Sequence, residues 1–391
     1  MKFKKVCAII CCIAMVGSMA GCSTKDNTDT SSSYSVDDSD NTDVLEAARE
    51  DVVQYLTDGT LKNEDIVMTV NAEDVQASYL LYWLASNITD YGYSDPSEME
   101  EDDGNGQTVG DMLLDGARDS TTYNVAISQQ AKKNNIELND DEKSQLNEYL
   151  DSLDQNSLLR YSTTEDDQKS IYESYLYTMD LWNLLYGNNG TEKVTDDDLK
   201  DYMGDNEYFT VDYMYFGNSD DSDEAAAKSM ERAEAVYNEL KDVSEDEFEN
   251  EFSELQGDSD ISETDHTFYL GGGENEQFAN GVSDMQIGDT KIIQTDNAVY
   301  IAHRNELNTD SIKEECAYNM FNEQLAQWSD EANVKTNKNY DKIDVTSFCE
   351  KLLNLQEVIT SSETEEQESE EPALESTPLP DTSAEADTEN N

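Results

Sequence analysis

Catalysis and ligation need nucleophiles, bases or metal ligands at set spacings, and this chain is sparing with two of the usual suppliers, histidine and cysteine. It has two histidines, His266 and His303, and six cysteines. Cys7, Cys11 and Cys12 lie in the first apolar run, Cys22 follows it, and only Cys316 and Cys349 stand further on. No cysteine pair or His/Cys cluster has the spacing of a zinc site. The two late cysteines can form a disulfide in an oxidising exterior or remain buried thiols. Each histidine reads as a surface or strand-face residue. The acidic run Asp220-Asp221-Ser222-Asp223 lacks the glycine and terminal Glu of a calcium loop. Gly271-Gly272-Gly273 follows no strand of the kind that cradles phosphate, so it reads as a turn. No cofactor is expected. Lys+Arg number 24 against 89 Asp+Glu, a net charge of −65 over 391 residues. That excludes the basic footprint of a nucleic-acid binder and disfavours direct contact with an anionic membrane. It suits cationic ligands, among them basic unfolded chains.

The chemistry must then come from aromatic and polar groups in the middle of the chain, where strand and helix patterns alternate. Val211 to Phe216 reads as a strand. Ala225 to Leu240 has helical spacing, and Ser244 to Glu247 forms a capping box that starts a short helix with Phe248 and Phe252. His266 to Leu270 is a second strand. A short helix at Gln277 to Val282 and strands at Thr290 to Thr295 and Ala298 to Arg304 complete the order β-α-α-β-α-β-β.

Residues 208–307 in this order resemble a parvulin-type peptidyl-prolyl isomerase domain, with Phe278 opening the short helix and Gly288-Asp289 following it. In that family the proline ring sits in an apolar pocket beside two histidines and a Cys or Asp. No covalent step is involved: the site favours the twisted amide over the planar one, against a barrier of ~18–20 kcal/mol. Carried onto this sequence, the histidine positions fall on Tyr213 and Tyr300, and the Cys/Asp position falls near Asp258 or Asp260. The pocket Phe falls on Phe278 and a pocket Leu on Met285. The family's Gly-Gly-Asp before the second strand reads Glu263-Thr264-Asp265. Tyrosine can still donate a hydrogen bond, so the resemblance implies an isomerase that is weak or lost.

The flanks extend the resemblance. Ile66 to Glu73 is a strand and turn leading into a helix from about Val75 to Tyr91, similar to the start of the chaperone domain of PrsA/SurA-like foldases. Ala72 stands where that family has glycine, the residue that tolerates positive φ. Before this, Val44 to Leu56 has helical spacing. After it come helices at Val109 to Lys133, at Asn139 to about Leu153 behind a capping box, and at about Asp166 to Tyr186. The last carries Ile171, Tyr175, Leu176, Met179, Trp182 and Leu185 on one stripe, a core face or the lining of a groove. Thr195 caps a linking helix. Beyond residue 307 come a helix from Ser311 to Ala332, a strand at Ile343 to Val345 and a helix from Ser347 to Ile359. In the family this return completes the first domain.

The chain starts with Lys2, Lys4 and Lys5, then an apolar run from Val6 to Val16 and Met19-Ala20-Gly21-Cys22. This has the form of a signal peptide. Its end resembles a bacterial lipobox, implying cleavage before Cys22 and lipidation of its thiol. The first 21 residues hold three lysines and no acid, so the mature chain carries −68. Two or more acyl chains suffice to anchor such a protein.

The expected fold class is α+β. A mostly helical chaperone-like domain spans 44–205 and 308–359, with a parvulin-like domain inserted at 206–307. The latter would hold a four-stranded antiparallel sheet with helices. A signal peptide (1–21), a disordered tether (22–43) and a disordered acidic tail (360–391) make up the ends. The expected function is a lipid-anchored foldase or chaperone on the outer face of a bacterial cytoplasmic membrane. Its partners are unfolded or extended secreted polypeptides, and nucleic acid is not among them. The alternatives are an active peptidyl-prolyl isomerase, and a surface lipoprotein that uses the fold as a scaffold for another partner.

Overall fold

The computed structural model describes residues 38–370. The signal segment, Cys22, the first part of the tether and residues 371–391 lie outside the described residues. The fold is α+β, with a three-stranded and a four-stranded antiparallel sheet among the helices. It divides into two units: one is built from residues up to Leu181 together with those from Leu325, the other from Trp182–Gln324.

The first unit opens with α1 (Asp38–Glu50) and α2 (Val52–Leu56). The sequence pattern predicts one continuous helix here, but Asp51 is extended, at φ −158. Its carboxylate accepts from Gln54 N at 2.8 Å and from Asn63 N at 3.2 Å. Capping of α2 therefore competes with continuation of α1. Strand β1 (Ile66–Val70) turns through Asn71 and Ala72 into β2 (Glu73–Gln76). Both turn residues have positive φ, 51 and 69, as a two-residue hairpin of right-handed twist requires. The hairpin displaces the start of the next helix, α3 (Ala77–Asp90), beyond the expected Val75.

Helix α3 is buried on most sides. Leu80, Leu81, Trp83, Leu84 and Ile88 lie at or below 2 % exposure, in one core with residues of α4 (Val109–Lys133) and α13 (Val345–Glu370). Strand β7 (Val334–Thr336) pairs with the free edge of β1, giving the order β2-β1-β7. The C-terminal segment thus completes the first unit. The strand expected at Ile343 to Val345 is a different element: Ile343 follows a turn at Tyr340–Lys342, and Val345 begins α13. The edge of β1 is answered earlier, by Asn333 and its neighbours. Asn71 N donates to Asn333 O at 3.0 Å and Asn333 N to Asn71 Oδ1 at 2.9 Å.

Three further helices are α5 (Asp140–Ser152), α6 (Gln155–Arg160) and α7 (Glu165–Leu185). Asn139 and Glu142 form the expected capping box. On α7, Ile171 joins the main core and Leu176 packs with Leu138 and Leu146, while Met179 is 51 % exposed. The stripe is core over its first turns, and further on Trp182 and Leu185 are half-buried. Helix α13 continues past the expected Ile359 to Glu370. Glutamate is a good helix former, and Glu363 accepts from Arg160 at 3.0 and 3.2 Å. Cys316 and Cys349 are both free and buried.

In the second unit, α8 (Asp196–Met203) leads to β3 (Tyr208–Gly217), α9 (Asp223–Leu240), α10 (Glu245–Leu255), β4 (Ile261–Tyr269), α11 (Glu276–Ser283), β5 (Thr290–Gln294), β6 (Ala298–Asn305) and α12 (Thr309–Asp330). This is the expected β-α-α-β-α-β-β order, and the sheet runs β4-β3-β6-β5. Side chains alternate across it. Met214, Phe216, Val299 and Ile301 pack under α9 and α10. Phe209, Val211 and Ala302 face α11, with Tyr213 and Tyr300 beside them. Phe209, Phe216, Phe252 and Phe278 are fully buried, each contributing roughly 1.5–3 kcal/mol relative to an exposed ring.

Candidate functional site

The site lies where α11 crosses the sheet. Asn275 caps α11, accepting from Gln277 N and Phe278 N at 3.0 and 3.1 Å. Gly281 then lets the helix approach β5: a Cβ there would sit 2.7 Å from Ile293 Cγ2. The turn after α11 needs Gly288, at φ +86, and Asp289 closes it by accepting from Gln286 N at 2.9 Å. Arg304 donates to Met285 O at 2.7 Å and stacks on Phe209 at 4.6 Å. These contacts fix Phe278 and Met285 in place.

Tyr213, Tyr300, Phe278 and Met285 are thereby brought into one cluster. The Phe278 ring lies 4.4 Å from Tyr300 and 5.6 Å from Tyr213, and the two tyrosine rings are 5.9 Å apart. Phe278 is 1 % exposed, whereas both tyrosines are only half-buried. The tyrosines therefore form the outer surface and the phenylalanine the floor beneath them. Burial first, and then the Glu263 carboxylate, raises the phenol of Tyr213 above its ordinary range. Burial, followed by Tyr215 and Glu274, raises that of Tyr300. Both phenols are protonated at neutral pH and can donate.

Asp258 is not part of this cluster. Its carbonyl accepts from Arg232 of α9 at 3.1 Å, and Arg232 also holds Asp260 at 2.8 and 3.1 Å. The guanidinium stands over Phe216, on the α9 side of the sheet. The Asp260 carboxyl is held below the usual carboxylate range by its hydrogen bond from Arg232.

A polar group invisible to spacing takes the place beside the tyrosines. The His266 ring packs edge-on against Tyr213 at 5.3 Å. Its Nδ1 is 2.8 Å from Glu263 Oε2 and its Nε2 is 2.9 Å from Glu274 Oε1. A bulge makes this possible. The strand register runs Val211↔His266 and then Tyr213↔Glu263, one extra residue being taken up on β4. Asp265 absorbs it at φ 55, and its N–H donates to Asp212 Oδ1 at 2.8 Å. Aspartate tolerates this left-handed conformation better than most residues. The expected second strand began at His266, so Glu263 lay outside it. Had β4 been extended to Ile261 with one bulge, the strand alternation would have put Glu263 and His266 on the tyrosine face.

His303 is elsewhere. It is 6 % exposed, stacks on Phe248 at 3.9 Å and shares a 2.8 Å hydrogen bond with Thr290. It is a core histidine with partners. Among the described residues no group of three or more His, Cys, Asp or Glu side chains is arranged to hold a metal ion. What the cluster can do is bind: an aromatic surface backed by an apolar floor, with two phenols, that of Tyr213 hydrogen-bonded to Glu263, and His266 held between Glu263 and Glu274 at its edge.

With this geometry in view, comparison with known proteins gives likenesses of fold. The chain is similar in structure to PrsA foldases. The foldase protein PrsA from Lactococcus lactis shares 14% identity at TM-score 0.32, over 70% of this chain and 95% of that one. PrsA from Bacillus subtilis shares 16% at 0.27, over 68% and 93%. Foldase protein PrsA from Streptococcus pneumoniae shares 12% at 0.26, over 76% and 94%. No protein-family profile matches the chain, and no curated protein does. Likenesses this distant say nothing of mechanism, which has to come from the residues.

Proposed function

We propose that this protein is a lipid-anchored, extracytoplasmic foldase or chaperone whose parvulin-like unit binds extended polypeptide and isomerises prolyl bonds weakly or not at all. One observation carries the reading: Tyr213 and Tyr300 pack on Phe278 where a proline ring would need that floor. A proline could reach Phe278 only by displacing a tyrosine, whose ring contacts are each worth roughly 0.5–1.5 kcal/mol beyond the area they bury. The two tyrosines are still suited to peptide, because flat half-exposed rings with a donor at the tip are favoured at recognition surfaces. Cys22 supplies the anchor in this reading. No helix among the described residues is long and apolar enough to cross a membrane.

A second reading has a specific observation in its favour. The phenols remain donors, and His266 lies 5.3 Å from Tyr213, so a polar set that could bias the amide twist is present in altered form. Cis-to-trans relaxation of an X-Pro peptide decides between the two. The favoured reading predicts wild-type rates within a few-fold of the uncatalysed rate. It also predicts that Tyr213→His with Tyr300→His exposes Phe278 and raises turnover. Clear wild-type turnover, lost in Tyr213→Phe, would establish the isomerase instead. The chaperone half is tested by suppression of client aggregation. No effect on any unfolded client would leave a surface-binding lipoprotein that uses the fold as a scaffold.

A further inference from the structure

The second unit carries a cavity away from the tyrosine cluster, at the end of α7 and between α8 and α12. Its volume is about 390 Å³, and Trp182, Tyr202, Tyr318, Glu314 and Glu315 are among its lining residues. Glu314 and Tyr318 are one helical turn apart on α12, so carboxylate and ring share a face. Tyr318 is 54 % exposed although its ring lies 5.9 Å from that of Trp182. Trp182 is fixed from behind by Tyr186, stacked at 5.6 Å, and by Phe321 at 5.5 Å. Tyr202 donates to Glu315 Oε2 at 3.3 Å, which orients one carboxylate along the wall. Among the described residues no lysine or arginine lines the cavity.

Aromatic faces joined to carboxylates in a concave, half-solvated site are the arrangement that attracts an organic cation. The rings offer their negative faces, and the carboxylates offer charge and hydrogen-bond acceptors. We infer that this cavity is a subsite for the basic side chain, Arg or Lys, of an extended polypeptide. It rests on the foldase reading only in taking polypeptide as the ligand. A chain of net charge −65 draws basic segments towards it without specificity. The cavity converts that attraction into recognition of one side chain. An arginine fits it best, because a planar guanidinium can stack on Trp182 or Tyr318 while forking to a carboxylate.

The experiment is calorimetric titration of the full chain with two blocked, unstructured peptides that differ only in one central residue, arginine or norleucine. The arginine peptide should bind roughly tenfold more tightly. Tyr318→Ala removes no charge and little buried surface, and it should abolish most of that preference; Tyr318→Phe should keep it. Glu314→Gln with Glu315→Gln should reduce the preference to a few-fold. Glu224→Gln, which removes an exposed carboxylate of α9 outside the cavity, should leave it unchanged. Equal binding of the two peptides by the wild type overturns the subsite, as does an arginine preference that Tyr318→Ala leaves intact, since that preference would come from net charge alone. If neither peptide binds at all, the foldase reading fails together with the subsite. If both bind equally, only the subsite fails.

Discussion

Ala72 is the sharpest place to test the local argument. It stands at the second position of the β1–β2 turn with φ 69, beside Asn71 at φ 51. A residue with a Cβ pays about 1–2 kcal/mol to hold the left-handed conformation. Asparagine lowers this cost with its short polar side chain, and Asn71 is further secured by donating to Gln129 Oε1 at 2.9 Å. Alanine has no such compensation. Ala72→Gly should remove the conformational cost while returning about 0.4–1 kcal/mol of flexibility to the unfolded chain. The net expectation is a stabilisation of about 0.5–1 kcal/mol, or roughly two- to fivefold in the local opening equilibrium. Because a chain of two units need not unfold in one transition, a local readout is required. Hydrogen exchange of residues 66–76, followed by mass spectrometry, supplies it. Those amides should exchange about two- to fivefold more slowly in Ala72→Gly. They should exchange faster in Ala72→Val, because a β-branched residue at positive φ is a genuine outlier. Faster exchange in the glycine variant would refute the reasoning, since it would mean that the turn does not strain its alanine.

Two further outcomes are expected. Phe278→Ala removes a ring that is 1 % exposed and should cost about 3–5 kcal/mol in the second unit. This is read as a lowered thermal or urea transition of β3–β6, and a loss under 1 kcal/mol would show that the floor is not packed as described. Asp212 is buried against Asp265 and Asn305, and burial raises its carboxyl above the usual range. A carboxyl whose folded value is raised adds stability below its unfolded value of about 3.9, and this is lost as pH rises through the folded value. Asp212→Asn, which keeps the acceptor oxygen, should therefore stabilise the unit at pH 7 and lose that advantage near pH 4. Urea midpoints at the two pH values measure it, and an advantage that grows on acidification would contradict the assignment.

Much of the fold was legible because its signals are local. The order of strands and helices from Tyr208 to Asn305 follows from alternation and helical spacing, short-range properties of the chain. The same holds for the capping box of Asn139 and Glu142, although the one expected at Ser244 does not form, its hydroxyl donating instead to the Glu247 carboxylate at 3.0 Å. What escaped was non-local or compensated. Strand β7 has three residues and no pattern of its own; it is a strand because β1 offers it an edge. The break at Asp51 depends on Asn63, twelve residues away. In the candidate site, Tyr213, Tyr300, Phe278 and Met285 could be placed by resemblance and do meet. His266 and Glu263 could not, because a single bulged residue at Asp265 shifts the strand's alternation, and no local residue type announces it. Asp258 was placed by position in a loop, where position says little about which side of a sheet the backbone takes.

The edge pairing of β7 with β1 also sets an order of events. A chain leaves the ribosome N-terminus first, and β1 must wait for residues 334–336 before its second partner exists. All of Trp182–Gln324 has emerged by then. The insert is contiguous in sequence, so it can fold while the flanking helices still have an open core. The first unit is thus closed last, when residues 334–336 reach the edge of β1.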